Sequence, residues 1–459
     1  VSDRLIDVQE YVNARRISAF QWSIVVVCVL LMVVDVYDVA AIGYSAPLII
    51  EQWQIDKSVF GVIVSAGVFG MAAGALLNGV LTDYLSPKKV LISALLIYAL
   101  CTIASAYARD PVMLGVLRFF TGCGIGAAVP ISVVLTHEYS PQRVRALLTS
   151  VTVCGTYAGA VICGWVAAAL MPTHGWQIVF LIGGVAPLVL AVICLVHLPE
   201  PLQYMVLKHR PARQVARVLR KIDRTASLDG ARFTVRVDGA DHKQSNELKV
   251  ILSRRMRLST LMLWSIYFLG VVVYYVMMSW LPTMLRENGM SIREGALITS
   301  LLVTGAIFGA LLFGWLMDRF EQHMVLVIGL STGVVLGGVM AYQINQPAYL
   351  PISAFAAGFC TIGTISSMFA LAASTYSPDG RTAGISWMNG VGRFGGLLGP
   401  IVAAALLRQG MAVGMVLVWL MMVPTGLQVV GLLLKRACAR RLSEDRRSPD
   451  AGAMMSEIV

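Results

Sequence analysis

Long apolar runs separated by short polar breaks occupy almost the whole chain. Runs of roughly 20 or more residues, each long enough to cross a bilayer as a helix, occur near 20–47, 58–82, 89–108, 111–136, 145–171 and 176–198. They resume near 258–286, 292–318, 323–343, 348–375, 381–409 and 411–435. The pattern predicts twelve transmembrane helices in two sets of six, an all-α membrane protein. The expected organisation is a segment 1–19, a six-helix domain 20–198, a linker 199–257, a second six-helix domain 258–435 and a tail 436–459. Helical spacing within the linker is predicted around Ala212–Ile222, lying at the interface against anionic headgroups. Residues 1–18 are too polar for a cleaved leader, so the first span is expected to be retained.

Of the 459 residues, 57% are hydrophobic and only 13% charged, about half the charged share of a soluble protein. The formal charge of +11 raises the question of a nucleic-acid partner. With a cytoplasmic N-terminus, 29 of the 36 lysines and arginines fall on that side, 5 on the far side and 2 within apolar runs. That asymmetry is the positive-inside pattern, so the excess reports orientation, and no nucleic acid is expected. An even number of spans leaves both termini cytoplasmic. Seven of the eight cysteines sit in apolar runs and none shows CxxC spacing; neither a disulfide framework nor a metal site is indicated. No nucleophile–base set or nucleotide loop appears, so no enzyme activity and no cofactor are expected.

The two sets of helices repeat each other. Gly79-x-Leu81-x-Asp83 ends the second run and Gly314-x-Leu316-x-Asp318 the eighth. Tyr139-Ser140-Pro141 follows the fourth run and Tyr376-Ser377-Pro378 the tenth, with Arg145 and Arg381 opening the runs after them. Matched landmarks at a nearly constant offset indicate duplication of a six-helix unit, a pattern of membrane transporters.

The chemistry begins in the first run, where Asp35 and Asp38 are the only acids between Phe20 and Ile50. A carboxylate at bilayer depth is costly and usually marks an ion or substrate pathway, and the i, i+3 spacing puts both on one helix face. Arg118 is the only charge in the fourth run. At 1.5 Å per residue, Arg118 lies ~10 Å and Asp38 ~12 Å from the far face, so equal depth allows an ion pair. Two readings of that pair stand, proton coupling and a static strut.

These motifs resemble the major facilitator superfamily. Gly79-Val-Leu81-Thr-Asp83-Tyr-Leu-Ser-Pro-Lys88-Lys89 is similar to its loop motif between helices two and three, with Ser86 and Pro87 where Gly and Arg are usual. There the glycine is expected to permit close helix approach. The resemblance implies a gating role for Asp83, Lys88, Asp318, Arg319 and Arg381, against plain surface capping. Arg118-x-x-x-Gly122-x-Gly124-x-Gly126 resembles the fourth-helix motif of proton-coupled members. In the fifth run Ala160 stands where drug–proton antiporters place proline, and glycine packing is sufficient explanation for that run. Asp35-Val-Tyr-Asp38, Arg118-Phe-Phe-Thr-Gly, Glu138-Tyr-Ser-Pro-Gln-Arg143-Val-Arg145 and Gly390-Val-Gly392-Arg393-Phe-Gly395 resemble the aromatic acid–proton symporters of the superfamily. Glu138 is expected to be a gate partner for Arg143 or Arg145, with His137 a bystander.

Arg393, about 18 Å into the eleventh helix, is the first choice for gripping an anionic substrate, since a guanidinium bonds a carboxylate bidentately. The plainer alternative is a static pair with a helix-one aspartate. Tyr37, Trp387, Asn389, Tyr274 and Tyr275 are candidates for the slot around an aromatic ring, and packing is the competing role for most of them. The resemblance implies symport of an aromatic carboxylate and a proton across a bacterial inner membrane by a monomer embedded in the lipid bilayer. A non-aromatic organic anion, drug export and ligand sensing without transport are the alternatives.

Overall fold

The computed structural model describes residues 5–223, 231–234, 251–253, 256–344, 346, 348–376, 378–409, 411 and 413–445. Twelve helices among them are long and apolar enough to span a membrane. In the first half these are α2 (Ala19–Trp53), α3 (Lys57–Tyr84), α4 (Pro87–Ser105), α5 (Pro111–Tyr139), α6 (Gln142–His174) and α7 (Gln177–His197). In the second they are α10 (Arg257–Glu287), α11 (Ile292–Arg319), α12 (Gln322–Gln343), α13 (Leu350–Thr375) and α14 (Pro378–Arg408). The last span begins as α15 (Val413–Leu417), passes through a π-helical turn at Val418–Met422 and continues as α16 (Val423–Asp445). That helix runs ten residues beyond the apolar pattern, which ends near 435.

Local chemistry sets several helix starts. Ser18 and Gln21 form a capping box ahead of α2, each side chain bonding the other's backbone N–H. Asp110 caps α5 through Met113 N at 2.8 Å, with Pro111 in the first turn. Ser86 does the same for α4 ahead of Pro87, so the departure from the usual loop motif at these two positions builds a helix start.

The chain forms two compact units. The first comprises Val1–Ala240 with Met278–Ser300, and the second Asp241–Met277 with Leu301–Val459. In the first, α5 packs on α3 and α4, α2 on α6, and α4 on α7. The C-terminal end of α10 and the start of α11 (Met278–Ser300) belong to this unit. A Cβ built on Gly43 of α2 would lie 2.2 Å from the Met278 carbonyl oxygen, Phe60 meets Trp280 edge-on, and Lys57 pairs with Glu287 at 2.6 Å. Both members of that pair are partly exposed, so Lys57→Ala is expected to change stability by less than about 1 kcal/mol, measured by melting in detergent. In the second unit, α12 packs on α13 and α16.

A small layer outside the spans completes the first unit. It consists of β1 (Leu5–Asp7), α1 (Val8–Asn13), α8 (Leu202–Leu207), α9 (Ala212–Ile222) and β2 (Arg232–Thr234), with β1 and β2 paired in parallel. Helix α9 has the bounds read from the sequence, and its apolar side is covered by protein. Val215, Ala216, Leu219 and Ile222 are buried in one core with Val8, Tyr11 and Val12 of α1 and with the ends of the bundle. Protein burial satisfies the amphipathic face and leaves Arg213, Arg217 and Arg220 exposed.

Candidate functional site

Asp38 of α2 meets Arg118 of α5 in a fully buried ion pair. Arg118 Nη1 donates to Asp38 Oδ1 at 3.0 Å and Oδ2 at 2.9 Å. Its Nη2 donates to the hydroxyls of Thr102, Ser105 and Thr121 at 3.3, 3.0 and 3.1 Å. The Thr102 hydroxyl donates back to Asp38 Oδ1 at 3.1 Å, and the Phe180 ring lies under the guanidinium. Neither side chain exceeds 5% exposure. Charges taken this far from water are held only when opposite charge and hydrogen bonds replace the lost solvation, and here four oxygen-bearing side chains do so. A proton delivered to Asp38 removes the negative member and leaves the guanidinium in want of an anion.

The glycines of α5 make this meeting possible. A Cβ on Gly122 would stand 2.1 Å from the Gly67 carbonyl of α3, and one on Gly126 2.0 Å from that of Met71. Gly124 faces α4, 2.5 Å from the Ala94 carbonyl by the same measure. Absent side chains on two faces bring three backbones together, and the polar side chains of α4 then reach Arg118. Gly159 of α6 likewise abuts Val33 of α2, which accounts for the glycines of the fifth span by packing.

Asp35 lies one turn away on the same face of α2, 8% exposed. Its surroundings are α4 and α5, where Leu95, Tyr98, Ile125, Ala128 and Ser132 line a cavity with it. That cavity has room for a single water. Tyr37, between the two acids, turns instead to α7, with its hydroxyl donating to the Val179 carbonyl at 3.2 Å and its ring against Gly183.

In the second unit Arg393 is half-buried on α14. Gly392, Gly395, Gly396 and Gly399 of α14 pack on Tyr267, Phe268, Val272 and Tyr275 of α10, and that contact fixes the level of Arg393. Tyr274 and Tyr275 meet edge-on, ring centroids 5.4 Å apart. Trp387 is exposed and stacks on Trp264 with centroids 6.0 Å apart, and Asn389 is exposed on the same helix.

The loop residues depart further from expectation. Glu138 does not pair with Arg143 or Arg145; it is buried and accepts from the backbone N–H of Gln203 at 3.1 Å, at the start of α8. That helix follows Pro201, which offers no capping oxygen, and the carboxylate fills the place. Arg143 donates to the Arg15 carbonyl, and Arg145 to the Ser140 carbonyl and Asn13 Oδ1. Lys88 Nζ donates to the Leu195 carbonyl at 2.9 Å, closing the last turn of α7. Asp318 and Arg319 are exposed, the latter over the Trp315 ring. The side chains of Asp83 and Arg381 lie outside the described residues. Among the described residues, nothing stands within 4 Å of a Cβ built on Gly79 or Gly314, so none of them makes the close approach expected at the motif glycine. Gly79→Ala is therefore expected to leave the melting temperature within about 2 °C of wild type, read by melting in detergent.

A family model described as Major Facilitator Superfamily matches residues 28–297 and 263–453. The chain belongs to this superfamily. Among curated relatives, it is 39% identical over 434 residues to the 4-hydroxybenzoate transporter PcaK of Pseudomonas aeruginosa, covering 94% of this chain and 96% of the relative. It is 38% identical over 413 residues to the gallate transporter of Pseudomonas putida, covering 89% and 90%. The benzoate transport protein of Acinetobacter baylyi is 29% identical over 409 residues, with 88% and 87% covered. Among solved folds, a bacterial homologue of the human lysosomal transporter Spinster superposes with a TM-score of 0.69 at 15% identity, covering 94% of this chain and 99% of that one. The xylose transporter XylE of E. coli gives 0.68 at 16%, covering 91% and 97%. Within this Major Facilitator fold, the residues that sequence reasoning missed are Thr102, Ser105 and Thr121. Thr102 and Ser105 stand three apart near the end of an apolar run, one polar face aimed at the cation of the next helix, and that spacing was the available signal.

Proposed function

We propose that this chain is a proton-coupled importer of an aromatic carboxylate, working as a monomer in the bacterial inner membrane with both termini cytoplasmic. The observation that carries the proposal is the buried Asp38–Arg118 pair, a charge arrangement that a single proton can undo. Support for the substrate class comes from relatives of 38–39% identity named for 4-hydroxybenzoate and gallate. A proton entering from outside neutralises one of Asp35 and Asp38. Arg118 is thereby released, Arg393 takes the substrate carboxylate, and Tyr274, Tyr275, Trp387 and Asn389 stand around the ring. The six-helix domains 20–198 and 258–435 then rock, and substrate leaves on the inner side before the proton. Asp83, Lys88, Glu138, Arg143, Arg145, Asp318, Arg319 and Arg381 border the inner gate. The test is thermal melting of the purified protein against a panel of acids, because a ligand that binds the folded state raises the apparent melting temperature. The expected result is an upward shift with hydroxybenzoates and none with dicarboxylates or sugar acids. The reverse order would replace the aromatic reading with the non-aromatic one.

A further inference from the structure

Helix α6 begins after Pro141, which has no side-chain oxygen to satisfy the first free N–H groups of the helix. The missing acceptor comes from a residue 129 positions before Gln142. Asn13, the last residue of α1, places Oδ1 2.9 Å from the backbone N of Gln142 and 3.4 Å from Arg145 Nη2. Beside it, Arg143 Nη2 donates to the Arg15 carbonyl at 3.2 Å. One short arm thus holds the first turn of α6 and both of its arginines.

The arm itself is anchored at several points. Arg15 Nε bonds Asp223 Oδ2 at 2.7 Å, and its guanidinium lies over the Tyr11 ring. Val8 and Val12 are buried in the core shared with α9, and β1 pairs with β2. Such a multiply tied segment can act as a fixed reference for the loop it touches.

We propose that residues 5–16 are a positioning arm and that Asn13 is its working residue, a helix cap supplied in trans that sets where Arg143 and Arg145 stand. The inference rests on the gating role given to those arginines under the proposed function. By ordering the loop before the inner gate forms, Asn13 speeds the conformational step and leaves substrate affinity alone. Losing one cap weakens the first turn of a helix by an amount worth roughly a fivefold change in an equilibrium.

The test uses the full-length chain in proteoliposomes, with labelled 4-hydroxybenzoate as the transport probe and rates normalised to folded protein. Asn13→Ala is expected to lower the maximal rate roughly fivefold with KM within about twofold, and Asn13→Asp to restore it, since a carboxylate accepts the same bonds. A purely structural role would reduce the amount of folded protein and leave its rate per molecule unchanged. Amide hydrogen exchange over residues 141–147 supplies a readout that needs no substrate. It should quicken in Asn13→Ala and return to the wild-type rate in Asn13→Asp. Should the probe not be transported even by wild type, the exchange result still decides the positioning claim. Unchanged exchange in Asn13→Ala, or an unchanged rate per folded molecule where transport is seen, overturns it.

Discussion

Arg118→Ala is expected to abolish uptake and to destabilise the protein by about 3–5 kcal/mol, the usual cost of leaving a buried charge uncompensated. The variant removes the guanidinium but leaves the Asp38 carboxylate, 3% exposed, with only the Thr102 hydroxyl of the present network to support it. Thr121 and Ser105 also lose their donor. Stability and transport can be separated by a second variant. Asp38→Asn combined with Arg118→Gln replaces the ion pair with two neutral amides and leaves no buried charge unpaired, so most of the lost stability should return. Transport should not return, because neither the proton site nor the released cation exists. Melting in detergent and uptake in proteoliposomes together check both halves of the expectation. A double variant that regains transport along with stability would reduce the pair to a strut.

A second large effect is expected at Gly126. Valine there would put a Cβ 2.0 Å from the Met71 carbonyl oxygen and 2.8 Å from its carbon, both backbone atoms of α3. No side-chain rotation relieves a contact with backbone, so the two helices must separate, and the damage spreads to Gly122, which meets the same helix. Tightly packed interiors do not absorb such a shift cheaply. Gly126→Val is expected to yield little folded protein, read as loss of the monodisperse peak on size exclusion in detergent. The contrast with Gly79→Ala is the informative part, because both glycines belong to motifs and only Gly126 is enclosed. Well-folded Gly126→Val would mean that the α3–α5 contact is looser than its geometry.

How much of this was readable from the chain depends on whether the cause was local. The spans were legible because an apolar run of some 20 residues has few alternatives outside a bilayer. The Asp38–Arg118 pair was legible from depth alone, since two lone opposite charges at one level of hydrocarbon have strong reason to meet. Helix α9 was legible to the residue, its period being plain, but not its cover; amphipathicity says that a face is buried and not by what. The trans caps were illegible for a related reason. Asn13 and Gln142 are far apart in sequence, and no local pattern announces an acceptor arriving from elsewhere. The only hint was negative, a proline at Pro141 and Pro201 where a capping side chain is usual. The partner of Glu138 was misjudged for the same cause: nearness in sequence favoured Arg143 and Arg145, while the uncapped start of α8 offered the carboxylate a backbone N–H instead.

If a proton on the α2 acids is exchanged against the grip on an organic anion, an imposed gradient should drive accumulation. Proteoliposomes carrying wild type or Asp38→Asn are given labelled 4-hydroxybenzoate with the outside acidified. Wild type is expected to concentrate the label inside in response to the gradient, and Asp38→Asn is expected not to, whatever exchange it retains. Gradient-driven accumulation by Asp38→Asn at the wild-type rate would contradict that coupling.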